Sequence, residues 1–307
     1  MFKKDLKKEL RKIFNDKVLV LLLIIAIAIG LAIASRPDNL LHIYFCDVGQ
    51  GDAILIKTPQ NRQILVDGGR GDQVLNCLSD ALPFYDHTLD LVILTHPHAD
   101  HVGGLIEVLR TYQVEKVIFQ QTPYKSADYQ EFIDLLGEKN LPTLKVVAGE
   151  ILALDQQVRV EVWYPLSNEK LELLAARGGS GATIDPYDGE DVNDSSIVFR
   201  LVCGDFETLL TGDAPEAVQK LLLRQEMVEE SDVLKVAHQG AKDGSDENFL
   251  KKVNPKLAVI SVGENNRYGH PHKETLEELE NAGAEIKRTD RDGTVEVVSD
   301  CKSWWVE

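Results

Sequence analysis

No Cys-x-x-Cys pair occurs among the four cysteines, Cys46, Cys77, Cys203 and Cys301. Their spacing supports neither a cysteine zinc site nor a thioredoxin-like redox motif. Basic residues are also in deficit: 33 Lys and Arg face 50 Asp and Glu, for a formal charge of −17. So acidic a body is no broad electrostatic platform for nucleic acid. A phosphate-ester substrate remains compatible with it, because bound divalent cations make one pocket positive on an acidic surface. No internal repeat or low-complexity tract is present, and no linker divides residues 40 to 307, so one large domain is expected there. Histidine is absent from Val102 to Ala237, although the chain has eight.

Charge is absent altogether from one early stretch. Met1 to Lys17 carries seven Lys and Arg against three acids, and the next seventeen residues, Val18 to Ala34, have neither a charge nor a polar side chain. As a helix this run would measure about 25 Å, the short limit for crossing a bilayer. The reading favoured is a single-pass transmembrane anchor over residues 18 to 34 with a basic cytoplasmic flank over residues 1 to 17, because the run is long for a signal core. The positive-inside rule then puts the carboxy-terminal domain, residues 40 to 307, outside the cell membrane. A cleaved signal peptide, with Ala32-Ile33-Ala34 as a small-x-small site, would instead make the domain secreted. Without the basic flank the remainder has 26 basic and 47 acidic residues.

Against these absences stands one crowded stretch, Leu94-Thr95-His96-Pro97-His98-Ala99-Asp100-His101-Val102-Gly103-Gly104. Three histidines and an aspartate fall within six positions, after the apolar run Leu89 to Leu94 and before a helix expected over Val102 to Tyr112. On that helix Val102, Leu105, Ile106 and Leu109 share a face. Neutral imidazoles and a carboxylate at a strand-to-helix turn suit zinc, manganese or iron, and packing gives no reason to crowd them. The stretch reads as a metal site.

Elsewhere strand and helix signals alternate, which argues for helices layered on sheet. Strands are expected over His42 to Asp47, Ala53 to Lys57, Gln63 to Asp67, Val114 to Phe119, Leu144 to Val147 and Gln157 to Trp163, and helices over Asp72 to Leu82 and Ala127 to Gly137. A Gly, Ser and Asp-rich loop is expected from Arg177 to Asp194. A hairpin, Ser195 to Val202 with Glu207 to Leu210, then runs to Thr211-Gly212-Asp213. A helix over Pro215 to Gln225 and a strand over Asp232 to Ala237 lead to His238-Gln239-Gly240. The turns Asp47-Val48-Gly49-Gln50-Gly51-Asp52 and Asp67-Gly68-Gly69 serve either tight hairpins or the site. Cys46 and Cys203 sit in strand-like runs as small buried hydrophobes, and in an exported domain three pairings of the four cysteines are open.

The order Asp67, His96-x-His98-x-Asp100-His101, Gly212-Asp213 and His238, each after an apolar run, resembles the metallo-β-lactamase superfamily of hydrolases. More narrowly, Phe45-Cys46-Asp47-Val48-Gly49-Gln50-Gly51-Asp52-Ala53, Leu210-Thr211-Gly212-Asp213-Ala214, Leu234-Lys235-Val236-Ala237-His238 and Tyr268-Gly269-His270-Pro271-His272 resemble the soluble carboxy-terminal domain of the ComEC-type competence proteins. Those are DNA-uptake channels whose extracellular domain is proposed to degrade the non-transported strand. The chain would correspond to the hydrolase half, held by one helix. The resemblance implies an α/β fold, a four-layer αββα sandwich of the metallo-β-lactamase type preceded here by one N-terminal transmembrane helix, with two divalent ions, zinc or manganese, at one edge.

Carried over by position, His96 and His98 would hold one ion, Asp100 and His101 the second, Asp213 would bridge them and His238 would complete the second site. Asp67 would fix the His-bearing turn. Two departures stand out. Many members supply a further histidine to the first ion between the cluster and the bridging aspartate; this chain has none there, and Asn193, Asp194 or a water would fill the position. The family's His-His-Gly-Ser is His238-Gln239-Gly240-Ala241.

Two cations a few ångströms apart lower the pKa of a bridging water and stabilise charge on the attacked group. Asp100 and Asp213 would orient that water, and His270, His272 or Lys235 would donate to a phosphoryl oxygen or the leaving group. The expected function is therefore a metal-dependent phosphodiesterase or nuclease acting on a phosphodiester such as single-stranded DNA, with a DNA-uptake channel as partner. Two alternatives stay open: hydrolysis of a non-phosphate ester, amide or lactone, and a metal-poor binding component of an uptake or envelope assembly.

Overall fold

Alternation of apolar and polar residues decides which face of each strand is enclosed. In Leu41–Phe45, Leu41, Ile43 and Phe45 are fully buried while His42 and Tyr44 are half-buried, the two-residue period of a strand packed on one face. The computed structural model describes residues 16–26, 30, 36–170 and 192–307. The chain falls into two units, Met1–Asp38 and Asn39–Glu307. In the first, residues 16–26 are helical, and Val18 to Ile25 expose 38 to 67% of their surface. Among the described residues no helix is long and apolar enough to cross a membrane. Most of the basic flank, parts of the Val18 to Ala34 run and residues 177–191 of the expected loop lie outside the described residues.

The second unit is built on two mixed sheets. One has eight strands in the order Trp304–Val306, Val295–Ser299, Leu41–Phe45, Ile54–Lys57, Gln63–Val66, Leu91–Leu94, Val117–Phe119 and Thr143–Leu144. The other has seven, in the order Glu285–Arg288, Leu257–Ile260, Val233–Lys235, Phe206–Leu210, Val198–Cys203, Val158–Tyr164 and Ile151–Ala153. In each, an antiparallel half passes into a parallel half: at Gln63–Val66 beside Leu91–Leu94 in the first, and at Phe206–Leu210 beside Val233–Lys235 in the second.

Three apolar clusters separate four layers. Leu41, Ile43, Phe45 and Ile54 of the first sheet meet Val158, Val160, Phe199 and Leu201 of the second. The opposite face of the first sheet, through Leu55, Leu65, Val92 and Leu94, packs on Leu78, Val102, Leu105 and Phe132, which belong to the helices Gln73–Ala81, Ala99–Thr111 and Ala127–Glu138. The outer face of the second sheet packs through Val198, Leu209, Leu234 and Ala258 on Val218, Leu222, Phe249 and Leu279, from Glu216–Arg224, Glu247–Val253 and Lys273–Asn281. Each fully buried side chain of this kind contributes roughly 1.5–3 kcal/mol of transfer free energy. The result is the αββα sandwich the sequence led us to expect.

The differences from expectation are local. The helix placed at Val102 begins at Ala99, because apolar periodicity registers only the buried turns and the first turn is polar and faces the site. Pro215 caps its helix rather than entering it. The edge strands Ile151–Ala153 and Trp304–Val306 are short and partly exposed, so they carry little apolar signal.

All four cysteines are paired. Cys46 bonds Cys77, tying the end of Leu41–Phe45 to the helix Gln73–Ala81, and Cys203 bonds Cys301 across 98 residues of sequence. The second joins a strand of one sheet to the turn between the last two strands of the other. Unfolded without reductant, the chain should show no titratable thiol. The paired change Cys203→Ser with Cys301→Ser should lower stability, by about 4–5 kcal/mol if loop entropy dominates, read from denaturant midpoints; an unchanged midpoint would show that the bond constrains nothing.

Candidate metal centre

Site residues gather where the parallel halves of both sheets end, the usual place for ligands in open α/β sheets. Gln63–Val66 runs into Asp67, Leu91–Leu94 into Thr95 and His96, Phe206–Leu210 into Asp213, and Val233–Lys235 into the turn of His238 and Gln239. His98 caps the helix Ala99–Thr111, which places Asp100 and His101 in its first turn. That first turn is held down at close quarters. Gly68 N–H donates to His101 O at 2.8 Å and Asp52 N–H to Asp100 O at 3.2 Å. A Cβ on Gly104 would lie 1.9 Å from Gly68 O, and one on Gly51 1.9 Å from Asp100 O. The glycines of both turns therefore serve the approach of the His-bearing helix.

Asp67 is wholly buried and accepts three hydrogen bonds, from Thr95 N–H at 2.8 Å, Thr95 Oγ1 at 2.6 Å and His101 Nδ1 at 2.8 Å. These bonds fix two tautomers. With Nδ1–H of His101 given to Asp67, its Nε2 carries the lone pair. Thr95 spends its only hydroxyl proton on Asp67, so at 3.1 Å it must accept from His96 Nδ1, and His96 Nε2 is likewise left with a lone pair.

Both lone pairs meet Asp213. His101 Nε2 lies 3.2 Å and His96 Nε2 3.9 Å from Asp213 Oδ2, and His98 Nδ1 is 3.1 Å from His96 Nε2. Buried His101 Nε2 and Asp213 Oδ1 have no hydrogen-bond partner. Electron-rich atoms enclosed and aimed at one point are costly unless something positive lies among them. Among the described residues, the ligand atoms of His96, His101 and Asp213 lie within 4.8 Å of one another, as do those of Asp52, Asp67 and His101. Two imidazoles and a carboxylate fit a divalent cation of the zinc or manganese type.

Without a cation the pocket takes its positive charge as a proton on His101, and the lone pair on His101 Nε2 is that of the neutral ring. Burial works against charge on His101, yet Asp213 and Asp67 raise its pKa well above the ordinary histidine value. Burial and then His101 push His96 well below it. Burial disfavours the Asp213 anion, but His101 and His96 outweigh it and hold the carboxyl well below its usual range. The pocket favours one positive charge and a dissociated Asp213.

The other expected residues divide. Asp100 turns its Oδ2 to Gln239 Nε2 at 3.1 Å, and the same nitrogen donates to Asp213 Oδ2 at 3.1 Å. His238, expected to complete the second site, has Nδ1 3.3 Å from Asp243 Oδ1 and its ring 5.6 Å from His270, while its charge is felt at His96 and Asp213. The residue presented to the two carboxylates is Gln239. Both positions adopt left-handed backbone, with φ of 49° and 54°, a conformation that costs a non-glycine residue about 1–2 kcal/mol and that sends neighbouring side chains to different sides of the turn.

Lys235, considered a donor to substrate, is completely buried, its ammonium 2.7 Å from Asp52 Oδ2 and 2.7 Å from Val236 O. It supports the core and cannot reach a substrate. Burial pushes Asp52 up to about 7 against the pull of Lys235. Asp47 is exposed and closes its own turn by accepting from Gly49 N–H at 3.2 Å, away from the cluster. Gln50 joins Gln239 and accepts from Gly263 N–H at 3.1 Å. Asn193 and Asp194 lie in the turn Val192–Ser195, and the residues that follow touch both halves of the site, Asp213 N–H donating to Ser196 Oγ at 3.2 Å and Ile197 N–H to Thr95 O at 3.1 Å. His270 and His272 stand 5.3 Å apart, with His272 capping the helix Lys273–Asn281.

Thr95 and Ser196 were not singled out from the sequence, since a hydroxyl beside a ligand leaves no pattern. Gln239 was visible only as a departure.

Residues 46–264 match the metallo-beta-lactamase superfamily. The chain belongs to that superfamily. It is also similar to ComE operon protein 3 of Bacillus subtilis (strain 168), with 27% identity over 290 residues, covering 84% of this chain and 34% of that protein. With competence protein ComA of Neisseria gonorrhoeae it shares 26% identity over 267 residues, covering 85% of this chain and 32% of that protein. The chain thus spans about a third of these relatives. Among solved structures, the metallo-beta-lactamase fold protein YhfI from Bacillus subtilis overlays with a TM-score of 0.50 at 15% identity, covering 87% of this chain and 99% of that one; that likeness speaks to fold alone.

Two outcomes follow from these contacts. Asp67→Ala, by freeing His101 and Thr95, should weaken cation affinity about 10–100-fold in a chelator competition; unaltered affinity would show that Asp67 does not orient the ligands. Lys235→Met, by stranding Asp52, should cost about 3–5 kcal/mol in denaturant unfolding, and adding Asp52→Asn should restore much of it.

Proposed function

We propose that the chain is a membrane-anchored, outward-facing metal-dependent hydrolase of phosphodiesters, with single-stranded DNA as the foremost substrate. The observation that carries this is the enclosed convergence of His96 Nε2, His101 Nε2 and Asp213 on one point, set beside the more open His98 and Asp100. When bound there, a zinc or manganese ion supplies Lewis acidity and a water of lowered pKa.

The chain's own groups do the rest. Asp67 keeps His101 turned to the site, and Thr95 does the same for His96. Half-buried Asp100 accepts a hydrogen bond from the attacking water and takes its proton. His270, beside His238 and His272, is shifted below the ordinary histidine pKa by burial and then by His238; in this reading an N–H of its neutral ring, or His272, donates to the leaving group. The acidic body repels a polyanion, so capture depends on the cation and on these histidines.

Support for an outward location comes from the two disulfides, which persist in oxidising compartments. Support for anchoring comes from the exposed apolar side chains of Val18 to Ile25 behind a basic amino terminus. The link to DNA uptake rests on likeness to competence proteins, of which this chain covers about a third, and the partner in this reading is a DNA-uptake channel.

Assays of the purified full chain with manganese or zinc, on single-stranded DNA, a bis-aryl phosphate and an aryl ester, test the activity. We expect metal-dependent cleavage of the first two and a loss of about 10²–10⁴-fold in Asp100→Ala. Equal activity in that variant, or turnover of the aryl ester alone, would refute the phosphodiesterase assignment. In intact cells, Lys139→Cys at an exposed position should react with an impermeant thiol reagent; protection would contradict the topology.

A further inference from the structure

We propose that Gln239 holds the place of a second cation, so that this centre binds one divalent ion per chain, at His96, His101 and Asp213. The inference rests on the reading that this trio takes a metal, and it departs from the expectation of two. Asp100 Oδ2 and Asp213 Oδ2 face a common point, and two carboxylates so placed repel one another unless a positive group lies between. The group present is the Gln239 carboxamide, whose Nε2 is 3.1 Å from each.

The direction of that amide follows from its partners. Gln239 Oε1 accepts from Gln50 Nε2, and Gln50 Oε1 accepts from Gly263 N–H at 3.1 Å. A backbone N–H can only donate, so the relay from Gly263 through Gln50 runs one way and ends with both amide protons of Gln239 on the carboxylates. The reversed amide would set oxygen against two anions. Gln239 is also 2% exposed, packed into a turn whose left-handed backbone aims it there.

The contrast with the first position is chemical. There both imidazole Nε2 atoms face Asp213, whose Oδ1 is buried without a partner, so a cation satisfies an oxygen that nothing else satisfies. At the second position, a cation must displace an amide that already satisfies Asp100 and is itself satisfied by Gln50. An amide nitrogen carries no lone pair for a metal, so displacement gains no nitrogen ligand. Histidine would differ: its Nε2 lies three bonds beyond Cβ, the same reach as Gln Nε2, and offers a lone pair. One residue thereby sets the number of ions.

The test is metal content of the full chain, equilibrated with manganese or zinc, desalted and assayed by elemental analysis, with manganese spectra to report coupled ions. Wild type should retain one ion per chain and Gln239→His two, with an exchange-coupled manganese signal. In Gln239→Glu, an added carboxylate beside Asp100 and Asp213 should lower the melting temperature of the metal-free chain, and thermal recovery should saturate at two equivalents instead of one. Two tightly held ions in the wild type would overturn the inference while leaving the metal site intact. So would a folded Gln239→His variant that still takes one, or recovery of Gln239→Glu at one equivalent. No ion in the wild type, with His96→Ala behaving identically, would instead overturn the metal site itself.

Discussion

Three hydrogen bonds converging on the buried Asp67 carboxylate decide where the lone pairs of this site point. Asp67 takes the Nδ1 proton of His101 directly and, by claiming the Thr95 hydroxyl proton, obliges His96 to donate from Nδ1 as well. Both Nε2 atoms are then free to face Asp213. A histidine pair with the other tautomers would present N–H groups to the same point and attract an anion. The choice between a cation site and an anion site is therefore governed by a residue some thirty positions upstream of the histidines, through its hydrogen bonds to His101 and Thr95. Its own placement comes from backbone: Asp67 sits in left-handed conformation at the end of Gln63–Val66, and the glycines after it admit the His-bearing helix.

Much of this could be read from residues alone. The αββα layering followed from alternating strand and helix signals and from the resemblance carried by the His96 to His101 stretch. Asp67 and Asp213 announced themselves by ending apolar runs. The sense of a turn was not legible. From Val236-Ala237-His238-Gln239-Gly240 only the histidine stands out, but two successive left-handed residues set His238 Nδ1 beside Asp243 and bring Gln239 to the carboxylates. Nothing in an apolar period encodes such a reversal. Lys235 was misjudged for a related reason: a lysine at the end of a strand looks available, and only the packing places Asp52 opposite it and seals both from water. Cysteine pairing was open in principle because sequence separation says nothing about which strand ends meet.

The two buried polar systems of this end of the molecule have different characters. The Asp52 and Lys235 pair is mostly closed: its charges compensate, although Asp52 Oδ1 is buried without a hydrogen-bond partner. The His96, His101 and Asp213 set is left incomplete, and an incomplete set of buried donors is what a binding site requires. Gln239 lies on the border between the two, a neutral group that completes one side of the centre and leaves the other unfinished. Its anchor, Gln50, comes from the first glycine turn and leans on Gly263 in a loop of the second sheet, so the count of ions is tied to how those two loops meet.

The covalent bond between Cys203 and Cys301 gains a further meaning from its location. Cys203 lies opposite Phe206, at the far end of the strand pair whose near end, Phe199 beside Leu210, leads to Asp213. Histidines come from the first sheet's side and Asp213 from the second, so an ion held between them would staple the sandwich at this edge while the disulfide staples it at the opposite edge. The two sheets would thus be bound like covers closed by a clasp on one side and a spine on the other. Reduction would release one fastening and loss of such an ion the other, each leaving its counterpart in place, so the two sheets would part fully only when both are gone.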